Sequence, residues 1–136
     1  MDEKRKLIIG RKEVADLPLF GLKSQTVKVD TGAYTSSIHV MSVNVVGDFL
    51  EVQFDGEDAP ILRFKNWLTK KVRSSNGATD ERFAVKGTII LGGHTYSTFF
   101  TLTCRARMRY PILLGRKFLN KRFIVDTSKV NVLSEK

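Results

Sequence analysis

The sequence predicts an all-β domain that is closed or strongly curved, with one short helix near its C-terminal end. Two observations support this prediction. Apolar or β-branched runs of strand length recur along the chain, and residues that favour turns separate them. A sheet of many short strands protects its edges best when it closes on itself. We therefore expect a closed β-barrel rather than an open sheet.

Seven runs of strand length define the predicted strands. In chain order they are Leu7–Gly10, Thr26–Val29, Ile38–Val46, Phe49–Phe54, Ala84–Leu91, Tyr96–Thr103 and Phe123–Val125. The turn-forming residues between them are Pro18, Gly21, Gly47-Asp48, Asp55-Gly56, Asn76-Gly77 and Gly92-Gly93. Within the fourth run, apolar and polar residues alternate after Leu50, which predicts one buried face.

Three further segments differ from these strands. Leu114 to Lys121 is the best helix candidate, and its basic end suits the negative pole at a helix C-terminus. Residues 73–80 are polar and rich in turn formers, so we predict an exposed hairpin or loop there. Arg105, Arg107 and Arg109 alternate with apolar residues and would share one face if that segment is a strand.

Length and composition indicate one folded domain covering residues 1–136, because two domains of this total size would each have very little core. No apolar run has the length of a signal-peptide core or approaches the roughly 20 residues of a membrane span. Cys104 is the sole cysteine and cannot form an internal disulfide, so a cytoplasmic protein is the simpler expectation. A periplasmic chain whose leader had been removed would look the same. We expect Cys104 to be a small buried residue.

Positive charge is concentrated in the second half of the chain. Residues 59–125 contain fourteen Lys and Arg but only two acids, a net charge of +12, whereas the remainder carries −3. Such segregation predicts a positive field that would attract nucleic acid or an acidic polypeptide. A merely solvated basic face remains the alternative.

Asp30 is the first candidate for chemistry. It follows the predicted strand ending at Val29 and precedes Thr31-Gly32-Ala33, so its carboxylate lies where the chain must turn. Gly32 gives the turn backbone freedom, and Thr31 offers a hydroxyl that can anchor the loop. Aspartic proteolysis needs two carboxylates that share one proton, one acting as base and the other as acid toward a water. The alternative is a simple turn in which Asp30 caps neighbouring amides.

A second motif begins 85 positions after Asp30, at Gly115. The segment reads Tyr110-Pro111-Ile112-Leu113-Leu114-Gly115-Arg116-Lys117-Phe118-Leu119. Together the two motifs resemble the retropepsin family of aspartic peptidases, in which a later apolar strand runs into Gly-Arg and a short helix. The sequence is most similar to a bacterial branch known as the RimB, or ATP-dependent zinc protease, family. That similarity includes Ile9-Gly10-Arg11-Lys12-Glu13, Leu17-Pro18, Thr35-Ser36-Ser37-Ile38-His39 and Val72-Arg73-Ser74-Ser75-Asn76-Gly77.

The resemblance implies a closed retropepsin-like β-barrel and a homodimer, because each subunit would supply one catalytic aspartate. It implies that Asp30 is catalytic, that Thr31, Gly32 and Ala33 form the active-site loop, and that Gly115 supports that loop. It implies that Val72 to Arg82 forms part of a flap, with Val72, Arg73, Ser74, Ser75, Asn76 and Gly77 as flap and substrate-binding residues. It further implies that Arg116 pairs with an acid near the loop or across the subunit interface, with a solvated charge as the alternative. The substrate would be a polypeptide, including acidic tails such as glutamate chains added to a ribosomal protein.

Neither zinc nor ATP is expected, despite the family's name. His39, His94 and Cys104 are widely separated and lack the spacing of a catalytic zinc site. There is no glycine-rich phosphate loop of the Gly-x-x-x-x-Gly-Lys-Ser/Thr type. His39 is expected to be a packed or surface histidine rather than a partner of the catalytic loop. Asp126 begins a second Asp-Thr pair, but a serine follows, so a capping role is expected.

Two other functions fit the same composition. A small basic β domain would bind RNA or the ribosome through phosphate contacts, with Tyr96, Phe99, Phe100 and Tyr110 as stacking surfaces. Those aromatic residues lie among aliphatic ones, which favours a role in the core. An inactive retropepsin-shaped module that only binds is the other alternative.

Overall fold

The computed structural model describes residues 5–55, 58–73, 76–104 and 109–133, and nearly all of its regular structure is β. The described strands are β1 (Leu7–Ile9), β2 (Lys12–Leu17), β3 (Leu22–Val29), β4 (Ser36–Val46), β5 (Phe49–Phe54), β6 (Ile61–Phe64), β7 (Trp67–Arg73), β8 (Thr79–Leu91), β9 (His94–Thr103), β10 (Ile112–Leu114) and β11 (Phe123–Val125). A 3-10 turn covers Pro18–Phe20, and the helix α1 covers Arg116–Leu119. The predicted mostly-β fold with one short C-terminal helix is confirmed. No helix in the described ranges is long and apolar enough to cross a membrane.

Tight turns connect the hairpins where the sequence predicts them. Gly47 lies between β4 and β5, and Gly92 and Gly93 lie between β8 and β9. All three glycines have positive φ, at 59°, 60° and 79°, a region that disfavours residues with a Cβ. Strands β7 and β8 pair in antiparallel fashion as far as Arg73 and Thr79, which confirms the hairpin predicted for residues 73–80.

Strand pairing brings distant parts of the chain together. The main sheet runs in the order β10-β3-β2-β8-β9-β4-β5-β6, with β7 paired to β8. Strand β10 pairs in parallel with β3 and also antiparallel with β4. The six strands β10, β3, β2, β8, β9 and β4 are therefore paired in a continuous circuit, the last with the first. Strands β1 and β11 form a separate two-stranded parallel sheet. The β3–β10 pairing is the one that positions the candidate site.

The core consists of side chains on the inward faces of these strands. Leu50, Val52 and Phe54 are buried, as the alternation in β5 predicts. The ring of Phe20 stacks on that of Phe54 with 4.5 Å between centroids. A Cβ on Gly87 would lie 2.6 Å from the Phe20 ring, so this glycine is what lets the ring approach β8. Burying each such aromatic side chain contributes about 1.5–3 kcal/mol.

One fully buried carboxylate joins the C-terminal segment to the start of the chain. Glu13 is 0% exposed, although it lies on a strand that is otherwise half polar. Its Oε2 accepts hydrogen bonds from the amides of Gly10 and Val132, both at 2.9 Å, and its Oε1 accepts one from Leu133 at 3.0 Å. The residues that follow β11 are therefore held against β2 by a charge inside the protein.

Several predicted boundaries are wrong. The predicted helix is too long at both ends, because Leu114 is extended and paired with Val29 in β3, and Asn120 has an extended ψ of 135°. Strands β2, β6, β7 and β10 do not appear among the seven predicted runs. Charged residues interrupt the apolar pattern of the first three, and β10 is expected only from the resemblance to retropepsins. In β2 an inward position is occupied by Glu13 itself. Arg105 and Arg107 lie outside the described residues, and Cys104 is exposed rather than buried.

Candidate active site

The Asp30 loop begins where β3 ends. Asp30 is half-buried, and its Oδ1 accepts a hydrogen bond from the amide of Gly32 at 3.1 Å. The amide of Ala33 donates to the carbonyl oxygen of Asp30 at 3.2 Å, which closes the turn. A Cβ on Gly32 would lie 3.3 Å from that same Oδ1, so a larger residue would crowd the carboxylate. The loop thus holds one oxygen of the carboxylate in a fixed position.

Backbone hydrogen bonds fasten this loop to β10 and α1. The amide of Asp30 donates to the carbonyl of Leu114 at 2.9 Å. The amide of Arg116 donates to the carbonyl of Ala33, also at 2.9 Å. The two motifs of the sequence are therefore in direct contact, as the resemblance to retropepsins implies.

Gly115 lies directly beneath the loop. A Cβ at this position would lie 2.6 Å from the carbonyl oxygens of both Tyr34 and Thr35, which are backbone atoms that cannot move aside easily. The amide of Gly115 donates to the buried hydroxyl of Ser36 at 3.0 Å. The supporting role predicted for Gly115 thus has a geometric basis, since the loop approaches too closely for a side chain.

Arg116 supports the loop through a backbone oxygen. Its Nη1 donates to the carbonyl of Thr31 at 2.9 Å, and its guanidinium lies 5.7 Å from the centre of the exposed Tyr34 ring. The contact described within the chain is therefore with a carbonyl rather than with the acid that the resemblance implies. Thr31 itself is exposed.

A cavity of about 660 Å³ opens in front of Asp30. Its lining residues come from the Asp30 loop, from β7 and from α1: Asp30, Gly32, Ala33, Tyr34, Thr35, Lys71, Val72, Arg73 and Arg116. The acid, its loop, part of the predicted flap and Arg116 are thus brought together. Among the described residues Asp30 takes part in no salt bridge.

The predicted flap residues divide into three groups. Val72 and Arg73 line the cavity. Asn76 and Gly77 lie in the exposed turn of the β7–β8 hairpin and are not among the lining residues, and Asn76 Oδ1 accepts a hydrogen bond from the amide of Ala78 at 3.0 Å. The predicted residues Ser74 and Ser75 lie outside the described residues.

Sequence reasoning missed two contributors to the cavity. Lys71 lies one residue before the predicted flap, and Tyr34 lies between the two halves of the quoted motif. The alternation of a strand offered a signal for Lys71, because a residue two positions from Arg73 shares its face. No pattern in the sequence singles out Tyr34.

The other candidate residues lie elsewhere. His39 is packed, with 6% of its side chain exposed, and its Nδ1 lies 3.5 Å from Asp55 Oδ2. These two residues line a separate cavity of about 230 Å³ rather than the one at Asp30. Asp126 accepts hydrogen bonds from the amide and hydroxyl of Ser128 at 3.0 and 2.6 Å, and these bonds lower the pKa of its carboxyl. The capping role predicted for Asp126 is confirmed.

Metal-ligating side chains do not cluster in the part of the chain that the structure describes. There, no group of three or more His, Cys, Asp or Glu side chains is arranged to hold a metal ion. Asp30 shares its cavity with basic and neutral residues.

A β-rich domain with an acid in an Asp-Thr-Gly-Ala loop, set over a Gly-Arg turn, belongs to the retropepsin-like class. Residues 8–136 match the family described as RimB-like, the retropepsin-like aspartic endopeptidase RimB, and the chain belongs to this family. The family resemblance stated from the sequence is confirmed.

Curated relatives of this chain have a different name. Proteins named "Probable alpha-L-glutamate ligase" from Shewanella pealeana and Shewanella halifaxensis are each 32% identical to it, over 140 and 133 residues. These alignments cover 96% and 91% of this chain but only 31% and 29% of the relatives. The chain therefore spans less than a third of the length of these proteins, whose name describes a much larger molecule.

A solved structure has the same fold over nearly the whole chain. It is a protein of unknown function (DUF785) from Legionella pneumophila, with 25% sequence identity and a TM-score of 0.75. The alignment covers 95% of this chain and 99% of that one. The described architecture therefore has a counterpart of matching size.

Proposed function

We propose that two copies of this chain form an aspartic endopeptidase in which each copy contributes Asp30. The observation that carries the proposal is the placement of Asp30. Its carboxylate is held by the Gly32 amide, lies in a cavity and is in no salt bridge among the described residues. Membership of the RimB-like family supports the same conclusion.

The chemistry requires a second carboxylate close to the first. Two such groups cannot both ionise at short range, so the pair holds one shared proton. The ionised member removes a proton from a water molecule whose oxygen attacks the peptide carbonyl carbon, and the other member protonates the carbonyl oxygen. Collapse of this intermediate breaks the C–N bond as the nitrogen receives a proton and leaves as an amine. The β7–β8 hairpin would act as the flap that excludes solvent.

Symmetric assembly supplies the second carboxylate, because the chain has one loop of this kind. The other Asp-Thr pair, at Asp126, ends in a serine and serves its own turn. In a two-fold dimer the same surface meets itself, so one acid per chain becomes a pair. We also propose that the circuit of six paired strands is the closed barrel of a retropepsin subunit.

Acidic polypeptides are the proposed substrates. The net charge of +12 in residues 59–125 supports this, since it would attract chains rich in carboxylates. The name of the relatives, probable alpha-L-glutamate ligase, supports glutamate chains in particular. A glutamylated ribosomal protein is one proposed substrate that would carry such a chain.

The test compares Asp30→Asn with Asp126→Asn in a peptide-cleavage assay. Asp30→Asn should abolish cleavage, because an amide cannot accept the proton from water. Asp126→Asn removes the same charge from the other Asp-Thr pair and should leave cleavage in place. Circular dichroism verifies that both variants are folded. Full cleavage by folded Asp30→Asn refutes the proposal.

Mixing subunits tests the shared site. When wild-type and Asp30→Asn chains exchange in equal amounts, random pairing leaves about a quarter of the dimers with two carboxylates. Activity should therefore fall to about a quarter of that of the same total amount of wild-type chain. A fall to one half would show that each chain works alone.

A second candidate function, RNA binding, is favoured by one cluster. Lys12 Nζ, Lys28 Nζ and the Arg109 guanidinium each lie 5.5 Å from the centre of the Tyr110 ring. Phe100, by contrast, is fully buried and unavailable for stacking. Under this alternative, Asp30→Asn leaves RNA affinity and its salt dependence unchanged, whereas Lys28→Gln weakens binding and reduces the salt slope by about one.

A further inference from the structure

Two basic residues of β7 face the cavity that contains Asp30. Lys71 and Arg73 are two positions apart on the strand, so they project from the same face. Both side chains are exposed and both line the cavity. In the described part of the chain neither forms a salt bridge, whereas Arg116 already donates to the carbonyl of Thr31.

Among the described residues, no acidic side chain forms a salt bridge with Lys71 or Arg73. Glu81 is the register partner of Lys71 on β8, but no salt bridge joins the two. Asp80, the partner of Val72, lies 3.9 Å from Arg82. Asp30 is the sole acid among the residues described as lining the cavity. A polypeptide entering the cavity therefore meets more positive than negative charge.

Lys70 lies on the opposite face of β7 from Lys71 and Arg73. Lys70 Nζ lies 5.3 Å from the centre of the Phe99 ring. Burial and then the nearby Lys117 ammonium lower the pKa of Lys70. Lys70 therefore does not belong to the basic surface of the cavity, which consists of Lys71, Arg73 and Arg116.

We propose that Lys71 and Arg73 determine specificity by binding acidic side chains of the polypeptide next to the cleaved bond. The inference rests on the proposed endopeptidase function. It assigns the preference for acidic substrates to two residues instead of to the overall charge of the chain. In a symmetric dimer each copy presents one such pair, so an acidic residue is favoured on both sides of the cleaved bond. Binding through side chains at the rim of the cavity is exposed to solvent and hence sensitive to salt.

The expected effect follows from the strength of exposed ion pairs. One such pair changes affinity by about threefold, and two change it by about tenfold. Peptides that differ only by Glu or Gln beside the cleaved bond should therefore differ about tenfold in kcat/KM with the wild-type chain at low salt. Raising the ionic strength to about 1 M, where screening acts within roughly 3 Å, should remove most of the difference.

The experiment compares two double variants of equal charge. Lys71→Gln with Arg73→Gln removes the proposed pair, and Lys65→Gln with Lys86→Gln removes two exposed charges that line a different cavity. The ratio of kcat/KM for the Glu and Gln peptides is measured for each. We expect the ratio to fall to about one in the first variant and to remain at its wild-type value in the second.

Peptide binding is measured separately from cleavage. Both peptides are also made with a reduced, uncleavable bond, and their affinities for the full chain are determined by calorimetry. Tighter binding of the Glu peptide that is lost in Lys71→Gln with Arg73→Gln supports the inference. Equal binding of both peptides to the wild type, or an equal loss in the control variant, overturns it. Absence of cleavage with selective binding intact would instead refute the endopeptidase function alone.

Discussion

Replacing Glu13 by glutamine measures how strongly a buried carboxylate holds the C-terminal segment against β2. The substitution keeps the shape of the side chain and removes its charge. Glu13 Oε2 accepts the amides of Gly10 and Val132, and Oε1 accepts the amide of Leu133. A glutamine can present its one oxygen to the first two amides, but its NH₂ group then faces the N–H of Leu133. One amide thus loses its acceptor and the other two lose a charged one.

The magnitude follows from these bonds. A hydrogen bond to a charged group contributes about 1.5–3 kcal/mol, and a buried donor without a partner costs about 1–3 kcal/mol. The neutral amide is easier to bury than a carboxylate, which offsets part of the loss. We expect Glu13→Gln to lower the free energy of unfolding by about 2–4 kcal/mol. For a domain of this size that corresponds to a fall in Tm of about 10 °C.

Urea denaturation followed by fluorescence of Trp67, the single tryptophan, measures this change. Protein concentration must be held constant, because subunit association adds to apparent stability. Glu51→Gln is the matched control, since Glu51 is partly exposed and pairs with Arg63 at 3.0 Å, an interaction of at most about 1 kcal/mol. If Glu13→Gln costs no more than the control, the buried carboxylate does not hold the segment as argued.

Two further predictions concern the loop support and the tyrosines. Gly115→Ala should destabilise the fold by about 1–3 kcal/mol and reduce cleavage, because its Cβ would lie 2.6 Å from the carbonyl oxygen of Thr35. Urea denaturation measures the loss of stability, and the peptide assay measures the loss of cleavage. Unchanged stability and cleavage would contradict the close approach of the loop to Gly115. In an absorbance titration at alkaline pH, Tyr110 should ionise before Tyr96. A hydrogen bond from Lys12 lowers the pKa of Tyr110, whereas burial, opposed by the Arg122 charge, raises that of Tyr96. The contribution of Tyr96 to the free energy of unfolding should therefore fall as pH rises above about 10, the ordinary pKa of tyrosine. In the absorbance titration, Tyr110→Phe should remove the transition at lower pH and Tyr96→Phe the one at higher pH.

Local chemistry explains which parts of the fold were predictable. Gly47 and Gly92 mark turns because their positive φ excludes most other residues, and β5 alternates because one face is buried. Strand β2 was hidden, since its inward position at Glu13 is a charged residue, and two of the three amides that it binds lie 119 and 120 positions away. Partners so distant along the chain leave no periodic signal around the residue itself.

The candidate site shows the same division. Asp30, Gly115 and Arg116 could be found because each belongs to a short motif. Lys71 belongs to none, and it becomes part of the site only because the β7–β8 hairpin carries it to the cavity. The contact of Arg116 with the carbonyl of Thr31 was also out of reach, since a backbone acceptor has no identity in a sequence.

What turns two motifs into one site is the register between β3 and β10. Val29 is paired with Leu114, and this pairing lets the amide of Asp30 donate to the Leu114 carbonyl and places Gly115 beneath the loop. A slip of one residue would turn the exposed Lys28 toward the core and the buried Val29 toward solvent. The energetic cost of burying that lysine is several kcal/mol, so the core enforces the register. The geometry around the candidate catalytic acid is therefore maintained by the apolar residues that precede it on the same strand.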